Sequence, residues 1–542
     1  MNPVFDVAAR ISLEARALGT MFRAGVVGLE SPQKLVGILT ALRDYGTVGA
    51  AVRIATIRRG GDASAIADDR GEISYAEFDE RINRLANAFR DLGLRSGEHT
   101  IGVLCRNGRA PLIACFASSR AGLRCVWLNT GFSSTQAREV AEREGVDLLV
   151  HDLEFADIVD GLNPSFGSFG VSPDGSDATD FEALIEAGST DLPPSPAQHG
   201  KLILLTSGTT GTPKGAPRTE PRGFVIPAGV LERMPMKPAG SVVIAPPIFH
   251  GTGLLIAMVG IALGSKLVLR GGRFDAQRLL EDIDTHRADT ICVVPIMLQR
   301  ILALGTDEIA RHDLSSLVAV FTAGSQLHPE VAAQVTAQLG DVIYNLYGST
   351  EVSVATLATP DDVRAAPASV GRPALGVRIK LYDDAGHEVS RGQQGRIFVG
   401  TTTPFEGYTG GGGKQIIDGL MSTGDVGHFD AKGRLYIDGR DDDMIVSGGE
   451  NLFPREVEEL LIQHPAVADV AIIGVPDEDY GQRLRAFLVL HEGRSLDSDE
   501  VKAHVKAHLA NYKVPRDVAF LDALPRNPTG KILKRELATY DV

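Results

Sequence analysis

From residue 99 onward, short apolar segments of strand length alternate with segments of helical length. The strand-like segments include 99-HTIGVL-104, 125-CVWLN-129 and 147-DLLVHD-152, and residues 109–122 and 134–145 between them have helical character. This alternation predicts parallel βαβ units. The same texture continues at 242–247, 254–264, 266–269, 291–295 and 317–324. The sequence therefore predicts a large layered α/β body.

Two changes in the pattern of predicted strands, turns and helices divide the rest of the chain. After about residue 370, β-rich and turn-rich segments such as 395-GRIFVG-400 appear, and a tail of about 100 residues then alternates helices and strands as an α+β module. At 542 residues the chain is too long for one hydrophobic core. We predict a helical extension at 1–60, a large multi-subdomain α/β body with a β-rich subdomain at 61–441, and a small mobile α+β C-terminal domain at 442–542.

The N-terminal extension carries helical periodicity between residues 5 and 58. In 33-QKLVGILTALRDYG-46 the apolar residues are spaced so that they share one helical face. These residues are Leu35, Ile38, Leu39 and Leu42. The face either packs on the main body, the interpretation we favour, or lies on a membrane surface.

Charge and cysteine usage exclude several classes of protein. A net charge of −15 argues against a general nucleic-acid binder, because phosphate backbones repel an acidic surface. Cys105, Cys115, Cys125 and Cys292 lie in apolar surroundings and form no closely spaced pairs, which predicts buried thiols rather than a zinc site. Neither an export signal nor a membrane span is expected. We predict a cytoplasmic protein, with membrane association through the N-terminal helices as the alternative.

The stretch 206-TSGTTGTPKG-215 directly follows the apolar run 202-LILL-205, where a strand is expected to end. It is not a Walker A loop, G-x-x-x-x-G-K-(S/T), because Lys214 follows Pro213 and precedes Gly215. Its hydroxyls, glycines and single cation can hold polyphosphate oxygens, although a plain flexible loop has the same composition. The candidate phosphate-binding residues are Thr206, Ser207, Gly208, Thr209, Thr210, Gly211 and Lys214.

Five further motifs follow this loop in order. They are 246-PPIFHGTG-253, 345-NLYGSTE-351, 422-STGD-425, 439-GRDDDMIVSGGENLFPREVE-458 and 525-PRNPTGKILKREL-537. Together the six resemble the signature motifs of the adenylate-forming superfamily, which comprises acyl-CoA synthetases, beetle luciferases and peptide-synthetase adenylation domains. The resemblance covers about residues 60–540, and the N-terminal extension resembles fatty-acid–CoA ligases of the actinobacterial type. It implies an AMP-forming acid–thiol ligase that uses ATP, Mg²⁺ and coenzyme A.

The resemblance assigns residues to the nucleotide. Tyr347 corresponds to the aromatic residue that stacks on adenine, and Asn345, Gly324 and Ser325 line the base. An aromatic residue beside glycine is also common in plain cores. The loop at 206–215 is assigned to the departing pyrophosphate.

The resemblance also assigns the sugar and the metal. Asp425 would accept both ribose hydroxyls, and Arg440 would reach the ribose and phosphates, although a simple turn or an interdomain salt bridge would look the same in sequence. Thr350 and Glu351 correspond to the pair at the α-phosphate and Mg²⁺, and Thr209 is a second candidate metal contact. A carboxylate suits Mg²⁺, which prefers hard oxygen ligands.

The remaining assignments concern chemistry and domain movement. Lys531 resembles the catalytic lysine that bridges the attacking carboxylate and the α-phosphate. His250 matches a residue at the mouth of the acyl site, with a core histidine as the competing interpretation. Asp442 occupies the hinge about which the C-terminal domain would rotate. Gly448 and Gly449 would line a pantetheine tunnel, since a bare backbone lets a chain pass closely.

The acid itself is predicted from pocket composition. Residues 251–260, 322–325 and 348–356 are apolar or small, with no cation poised for a second carboxylate, so we predict a fatty or aryl monoacid and favour a fatty acid. The short segment between 345–351 and 422–425 favours CoA over a carrier protein as acceptor. The alternatives are an aryl-acid ligase, a carrier-protein loader, a P-loop ATPase and a non-catalytic acyl-binding protein. A homodimer is compatible with all of these.

The sequence departs from the family pattern at one place. The segment 216-APRTEP-221 replaces the valine and downstream histidine that often continue the phosphate loop. The role of the adjoining loop is therefore not assigned.

Overall fold

A computed structural model describes residues 7–172, 180–206, 213–218, 224–402, 405–441, 445–447, 450–452, 454–477, 481–509, 513–527 and 530–540. The helices are α1 (Val7–Arg23), α2 (Pro32–Arg59), α3 (Tyr75–Asp91), α4 (Arg109–Arg120), α5 (Ser134–Glu144), α6 (Ala156–Val159), α7 (Asp180–Ala187), α8 (Val225–Leu231), α9 (Gly251–Ala262), α10 (Ala276–His286), α11 (Pro295–Leu302), α12 (Thr306–Ile309), α13 (Pro329–Leu339), α14 (Pro360–Ala365), α15 (Pro454–Ile462), α16 (Ser498–His508) and α17 (Lys534–Leu537). A 3₁₀ turn at Leu153–Phe155 precedes α6.

Strands account for most of the remaining regular structure. They are β1 (Ser64–Asp68), β2 (Gly71–Ser74), β3 (Thr100–Leu104), β4 (Arg124–Trp127), β5 (Val146–Asp152), β6 (Ser168–Val171), β7 (Lys201–Thr206), β8 (Lys214–Arg218), β9 (Ser241–Ile244), β10 (Lys266–Leu269), β11 (Thr290–Val293), β12 (Ala319–Thr322), β13 (Ile343–Ser349), β14 (Ser353–Ala358), β15 (Arg372–Pro373), β16 (Arg378–Tyr382), β17 (Gly395–Gly400), β18 (Ile416–Ile417), β19 (Leu420–Phe429), β20 (Leu435–Arg440), β21 (Ile445–Ser447), β22 (Glu450–Leu452), β23 (Val467–Asp477), β24 (Gly481–Leu490) and β25 (Asp517–Phe520).

Two large sheets form the α/β body. One has the strand order β6-β5-β3-β4-β7-β8 and is parallel except for the β7–β8 pair. The other has the order β15-β14-β13-β12-β11-β9-β10-β1-β2 and is parallel from β13 to β1, with antiparallel strands at both edges. The predicted βαβ alternation is confirmed, because β3, α4, β4, α5 and β5 follow one another in that order.

Two smaller sheets follow in the chain. Strands β16 to β20 form an antiparallel five-stranded sheet, which is the predicted β-rich subdomain. Strands β21 to β25 form a second five-stranded sheet, on which α15 and α16 pack through their own buried core. The predicted α/β fold class, with a large N-terminal part and a small α+β C-terminal part, is confirmed. The exact domain boundaries stay predictions.

The N-terminal extension is helical, as predicted, but its long helix is bent. Ser31 caps α2 by accepting a hydrogen bond from the Lys34 amide, and Pro32 occupies the first turn. Gly46 has φ 70° and ψ −169°, a conformation that glycine adopts without steric cost, and it divides α2 into two straight parts. By length and composition alone α2 could cross a membrane, a test that core helices also pass. Its second half is packed in the core through Ala50, Val52 and Ala55.

The four cysteines are buried free thiols, as the sequence predicted. They belong to the main hydrophobic core, which also contains Phe116 and Trp127. Burial raises the pKa of the Cys105 thiol well above its ordinary value, so this cysteine stays protonated and unreactive. Among the described residues no group of three or more His, Cys, Asp or Glu side chains could hold a metal ion.

Candidate active site

A cavity of about 1050 Å³ extends from the C-terminal domain through the body to α2. The twelve predicted site residues that the structure describes all line it. They are Thr206, Lys214, His250, Gly324, Ser325, Asn345, Tyr347, Thr350, Glu351, Asp425, Arg440 and Lys531. The other predicted residues lie outside the described part of the chain, and these are Ser207, Gly208, Thr209, Thr210, Gly211, Asp442, Gly448 and Gly449. Residues from six parts of the sequence thus meet around one space.

The base candidates lie on a strand or directly after its parallel neighbour. Asn345 and Tyr347 are on β13, and the turn with Gly324 and Ser325 follows β12, its parallel neighbour. The carboxyl ends of parallel strands meet at one edge of a sheet, which is where α/β folds bind ligands. The Tyr347 hydroxyl donates a 2.5 Å hydrogen bond to Asp425 Oδ2, so the two predicted nucleotide contacts also touch each other.

Asp425 is a buried carboxyl group with a cation beside it. β19 and β20 pair so that Asp425 lies opposite Arg440, whose Nη1 is 3.6 Å from Asp425 Oδ1. Burial raises the pKa of Asp425, and the hydrogen bond from Tyr347 and the charge of Arg440 only partly offset this effect. A buried carboxylate of this kind gains stability from further donors, and a pair of ribose hydroxyls would supply them.

Glu351 is held as a carboxylate by neutral donors. The Tyr408 hydroxyl donates to Glu351 Oε1 over 2.5 Å, and the Ser349 hydroxyl accepts from the Glu351 amide. Burial disfavours the charged form, but the hydrogen bonds from Tyr408 and Ser349 outweigh it and lower the pKa of Glu351. An ionised, half-buried carboxylate fits Mg²⁺, which takes one or two protein oxygens and completes its shell with phosphate oxygens and water.

The predicted phosphate loop connects two antiparallel strands. β7 ends at Thr206 and β8 begins at Lys214, and these two residues are paired in register. A Walker A loop leads from a strand into a helix, so this connection confirms that the stretch is a different structure. Lys214 Nζ lies 5.5 Å from the ring centre of Tyr408, over its face, and so points toward the side of the cavity that holds Glu351.

Lys531 reaches the cavity from the C-terminal domain. Its backbone is fixed by Asn527, whose side chain accepts from the Lys531 amide over 2.9 Å. Gly530 has φ 80° and lies against α11, where an added Cβ would be 2.6 Å from Ile296 Cγ2. The charge of Lys531 is also among the contributions that partly offset the rise in the pKa of Asp425 caused by burial. The lysine is therefore presented to the polar end of the cavity by a loop that contacts the body closely.

A second contact joins the two parts. Gln326, in the turn after β12, donates a 2.7 Å hydrogen bond to Glu459 on α15. Arg455, one turn before Glu459, donates to the same carboxylate over 2.8 Å. The turn predicted to line the adenine base thus also contacts the C-terminal domain.

His250 lies between the polar and apolar parts of the cavity, just before α9. Its Nε2 atom is buried and has no hydrogen-bond partner among the described residues. Burial lowers the pKa of the imidazole to about 4, so the ring is neutral at physiological pH. Its ring packs against Phe249 with a centroid distance of 4.4 Å. A neutral imidazole with an open nitrogen in a cavity can accept or donate one hydrogen bond to a ligand.

The far part of the cavity is apolar. The predicted lining residues on α9 are present, and they include Leu254, Leu255, Met258 and Val259. Opposite them lie side chains of α2 that the sequence did not place in the pocket, among them Leu35, Ile38, Leu42, Ala51 and Ile54. Of the four apolar residues predicted to share one face, Leu39 is the exception, because it points away from the cavity and is 57% exposed.

The structure adds polar residues that the sequence did not identify. Tyr408 and Lys414 line the cavity near Glu351, and the charge of Lys414 contributes to the low pKa of that carboxyl. The signal in the sequence was the run 407-GYTGGGGK-414, in which a tyrosine and a lysine flank four consecutive glycines. The backbone amide of Gly215 donates to Thr409 Oγ1 over 3.0 Å, which ties this glycine-rich segment to β8.

Comparisons with known proteins agree with this geometry. The sequence profile of AMP-binding enzymes matches residues 55–409, and that of the AMP-binding enzyme C-terminal domain matches residues 456–531. An indoleacetate–CoA ligase of Aromatoleum aromaticum is 31% identical over 487 residues, covering 88% of this chain and 94% of the relative. A feruloyl-CoA synthase of an Amycolatopsis species is 32% identical over 481 residues, covering 88% and 95%.

A solved structure gives the same result for the fold. The ATP-bound MatB of Rhodopseudomonas palustris superposes with a TM-score of 0.81 at 26% identity, covering 91% of this chain and 98% of MatB. Fold and site together define an adenylate-forming enzyme. The chain belongs to the AMP-binding enzyme family. It is an AMP-forming acid–thiol ligase, and its substrates and cofactor are ATP, CoA, a carboxylic acid and Mg²⁺.

Proposed function

We propose that the protein is a fatty-acid–CoA ligase. The observation that carries this proposal is the continuity of the cavity, which joins the polar residues around Lys531 to an apolar space between α9 and α2. An acid whose carboxylate lies near Lys531 can bury its tail in that space. Burial stabilises the bound acid by about 0.8 kcal/mol per methylene group.

The chemistry proceeds in two displacements. A carboxylate oxygen of the acid attacks the α-phosphorus of ATP, the bond to the pyrophosphate oxygen breaks, and an acyl-adenylate forms. The CoA thiol then loses its proton and attacks the acyl carbonyl, and AMP leaves with the electrons of the acyl–oxygen bond. We assign Lys531 to charge stabilisation in the first step, since its ammonium would neutralise two approaching anions.

The other roles follow from the contacts of each side chain. Glu351 and Thr350 would hold Mg²⁺ and the α-phosphate, and Lys214 would contact the outer phosphates. Asp425 and Arg440 would bind the ribose and its phosphate. His250 would position the carboxylate, because its open Nε2 lies where the polar and apolar parts of the cavity meet. Tyr347, Asn345, Gly324 and Ser325 would surround the base.

The domain division 1–60, 61–441 and 442–542 is part of the same proposal. The contacts of Gly530 with Ile296 and of Gln326 with Glu459 hold Lys531 at the cavity, as the first displacement requires. The second displacement would then need the C-terminal domain to turn about Asp442 and withdraw Lys531.

The cations around the cavity favour a monoacid over a diacid. Arg58 is the cation at the apolar end, and its guanidinium donates to the carbonyls of Gly25 and Val26 and to Glu30 over 2.6–2.9 Å. An arginine whose donors are taken up in this way has little capacity for a second substrate carboxylate.

An aryl-acid–CoA ligase is the second candidate function. It is favoured by the names of two relatives, an indoleacetate–CoA ligase and a feruloyl-CoA synthase, each at least 31% identical. The apolar lining between α9 and α2 would accept a ring as well as a chain, so the shape of the preferred acid separates the two candidates.

The test is an acid panel assayed with ATP, Mg²⁺ and CoA. We expect CoA-dependent AMP and pyrophosphate formation, with kcat/KM rising from butanoate through dodecanoate. A preference for indoleacetate or ferulate would show that the enzyme is an aryl-acid–CoA ligase instead. Activity with a phosphopantetheinylated carrier protein but not with CoA would reassign the acceptor. If no acid stimulated AMP formation, the assignment as a ligase would be wrong.

We also propose that the enzyme contacts a membrane with anionic lipids through α1 and α2. Large apolar side chains on these helices and their connecting loop are exposed, namely Ile11, Leu18, Phe22, Leu29, Leu35, Val36 and Leu39. Residues 1–60 carry eight Lys and Arg and four Asp and Glu, so this segment has a net charge of +4 in a chain of −15. Basic, apolar helices bind anionic lipid surfaces.

Co-sedimentation with liposomes tests this contact. The wild type should bind vesicles containing 30% phosphatidylglycerol more strongly than pure phosphatidylcholine vesicles. The double variant Val36→Asp/Leu39→Asp should lose binding by about tenfold, because two apolar side chains no longer enter the interface. Ile416→Asp is the matched control, since Ile416 is 66% exposed, as Val36 is at 64%, but lies on β18. Equal binding by wild type and double variant would reject the contact.

A further inference from the structure

α2 contributes to the wall of the cavity along much of its length. The cavity-lining side chains are Leu35, Ile38, Leu42, Thr47, Val48, Ala51, Ile54 and Arg58. Apart from the adjacent Thr47 and Val48, they are spaced three to five residues apart, which corresponds to one helical face on each side of the bend at Gly46. α9 lines the same cavity with Leu254, Leu255, Met258, Val259 and Ala262.

We infer that α2 forms the distal wall of the acyl pocket, and that Ile38, Leu42 and Ile54 set the longest acid the enzyme accepts. The inference rests on the proposed function and names the residues that determine its substrate. These positions lie in the apolar part of the cavity, on the helix that faces α9, whereas the predicted nucleotide residues line the other part. Each of the three side chains takes up space that a longer tail would need.

The wall is fixed in place at several points. Lys34 Nζ donates to the carbonyl of Arg58 over 3.2 Å, which joins the first turn of α2 to its last. The Tyr45 hydroxyl donates to the carbonyl of Pro193, and Arg53 forms a 3.0 Å ion pair with Asp79 on α3. Gly49 packs against the backbone of Arg120, which an added Cβ would approach to 3.1 Å. A helix anchored in this way cannot move aside for a longer tail without breaking these contacts, so the size of its cavity-lining side chains limits tail length.

This wall is not part of the family's shared domain. The AMP-binding profile begins at residue 55, so all of the lining residues on α2 except Arg58 precede it. The match to the family profile therefore carries no information about the α2 side of the pocket. The acid that this chain accepts depends on residues it does not share with the family profile.

Binding of fatty acids of increasing length tests the wall without requiring catalysis. A fluorescent fatty acid bound to the full-length protein is displaced by acids from butanoate to hexadecanoate, and kcat/KM is measured on the same series. In Ile38→Trp and Ile54→Trp we expect affinity and kcat/KM for the longest accepted acids to fall about tenfold or more, because at least two methylenes are displaced from the apolar space. Acids of four to six carbons should change less than twofold.

The matched control is Thr40→Trp, which adds the same side chain to the same helix at an exposed position outside the cavity. It should leave the length profile unchanged. Ile38→Ala removes volume instead of adding it and should extend the profile to longer acids, so the inference stays testable if a tryptophan variant does not fold.

The outcomes separate this inference from the proposed function. An unchanged length profile in Ile38→Trp, Ile54→Trp and Ile38→Ala would overturn the wall while leaving the ligase intact. An equal loss for short and long acids would also overturn it, because a length limit acts only on long tails. If the wild type made no AMP with any acid, the proposed ligase function would be wrong. The displacement of the fluorescent fatty acid by acids of different lengths would still test whether α2 limits tail length.

Discussion

The two ends of the cavity are built in different ways. The polar end draws its side chains from six segments spread over more than 300 residues, and most of them are strands or the loops that follow strands. The apolar end is lined mainly by two helices, α9 and α2, with apolar side chains of α1, β7 and α8 beside them. Loops and strand ends can place single charged atoms, whereas helix faces provide continuous apolar surface.

This difference separates what is common to the family from what belongs to this chain. Nucleotide chemistry is the same for every acid, so the polar end lies within the residues that the family profiles match, together with Asp425 and Arg440 between the two profiles. In the proposed function the apolar end faces the part of the substrate that varies, and most of its lining residues on α2 precede the profile. Variants at the polar end should therefore affect all acids equally, and variants at the apolar end should discriminate among them.

Lys531→Ala should have the largest effect. We expect the rate of acyl-adenylate formation to fall by about 10²–10³-fold for every acid in the panel, because the cation that stabilises the developing charge is lost. Thioester formation from a supplied acyl-adenylate and CoA should stay within a few-fold of wild type. Single-turnover assays of the two half-reactions measure this, with Lys534→Ala, a neighbouring lysine, as the comparison. Equal loss of both half-reactions would contradict the assignment.

Asp425→Asn should weaken nucleotide binding for all acids alike. The variant keeps the shape of the side chain but cannot accept two hydrogen bonds as a carboxylate, so KM for ATP should rise by roughly 10–100-fold. The discriminating measurement compares ATP with 2′-deoxy-ATP. Wild type should prefer ATP, and the variant should largely lose that preference. If the change in KM for ATP differed from one acid to another, it would contradict the claim that variants at the polar end affect all acids equally.

The sequence predicted the polar end well because its information is local. Each motif places a chemically distinctive residue beside glycines or hydroxyls, and the twelve described candidates do line one cavity. Tyr408 was missed because a tyrosine in a glycine-rich stretch has no fixed distance to Glu351 until the fold brings β8 and residue 409 together. The assigned roles of these residues stay predictions.

The apolar end could not be predicted in the same way. Periodicity showed that Leu35, Ile38 and Leu42 share a face, but it carries no information about the partner of that face. The bend at Gly46 also divides the helix, and Leu39 turns outward. The strand alternation likewise predicted the α/β class but not the strand order, because β1 pairs with β10, some 200 residues later in the chain. Such pairings depend on the complete fold.

Tyr408→Phe should have a smaller effect at the polar end. The variant keeps the ring beneath Lys214 but removes the hydroxyl that donates to Glu351, so the pKa of Glu351 should rise toward its ordinary value or above it. The free Mg²⁺ concentration for half-maximal activity should increase about three- to tenfold. The acidic limb of the kcat/KM profile should also move to higher pH, since Glu351 must be ionised. Tyr436→Phe, on β20 outside the cavity, should change neither quantity.

His250→Gln should have the smallest effect, and it acts at the junction of the two ends. In the folded protein burial lowers the pKa of His250 to about 4, whereas the unfolded chain has an ordinary value near 6.5. Between these values the unfolded state binds a proton that the folded state does not, so the stability of the wild type falls as pH decreases from 6.5 to 4. Glutamine does not titrate, and the variant should lack this part of the acid sensitivity, amounting to roughly 3 kcal/mol at pH 4.

Melting temperatures of wild type and His250→Gln, measured from pH 7 to pH 4, check this expectation. All other residues are the same in the two proteins, so the difference between the two curves isolates His250. A bound fatty acid should reduce the difference, because its carboxylate near Nε2 would favour the protonated ring and raise its pKa. Parallel curves without ligand would show that His250 titrates normally. If the two curves differ but the difference does not change when fatty acid is added, the carboxylate of the acid binds away from His250. The junction between the two ends of the cavity would then also lie away from His250.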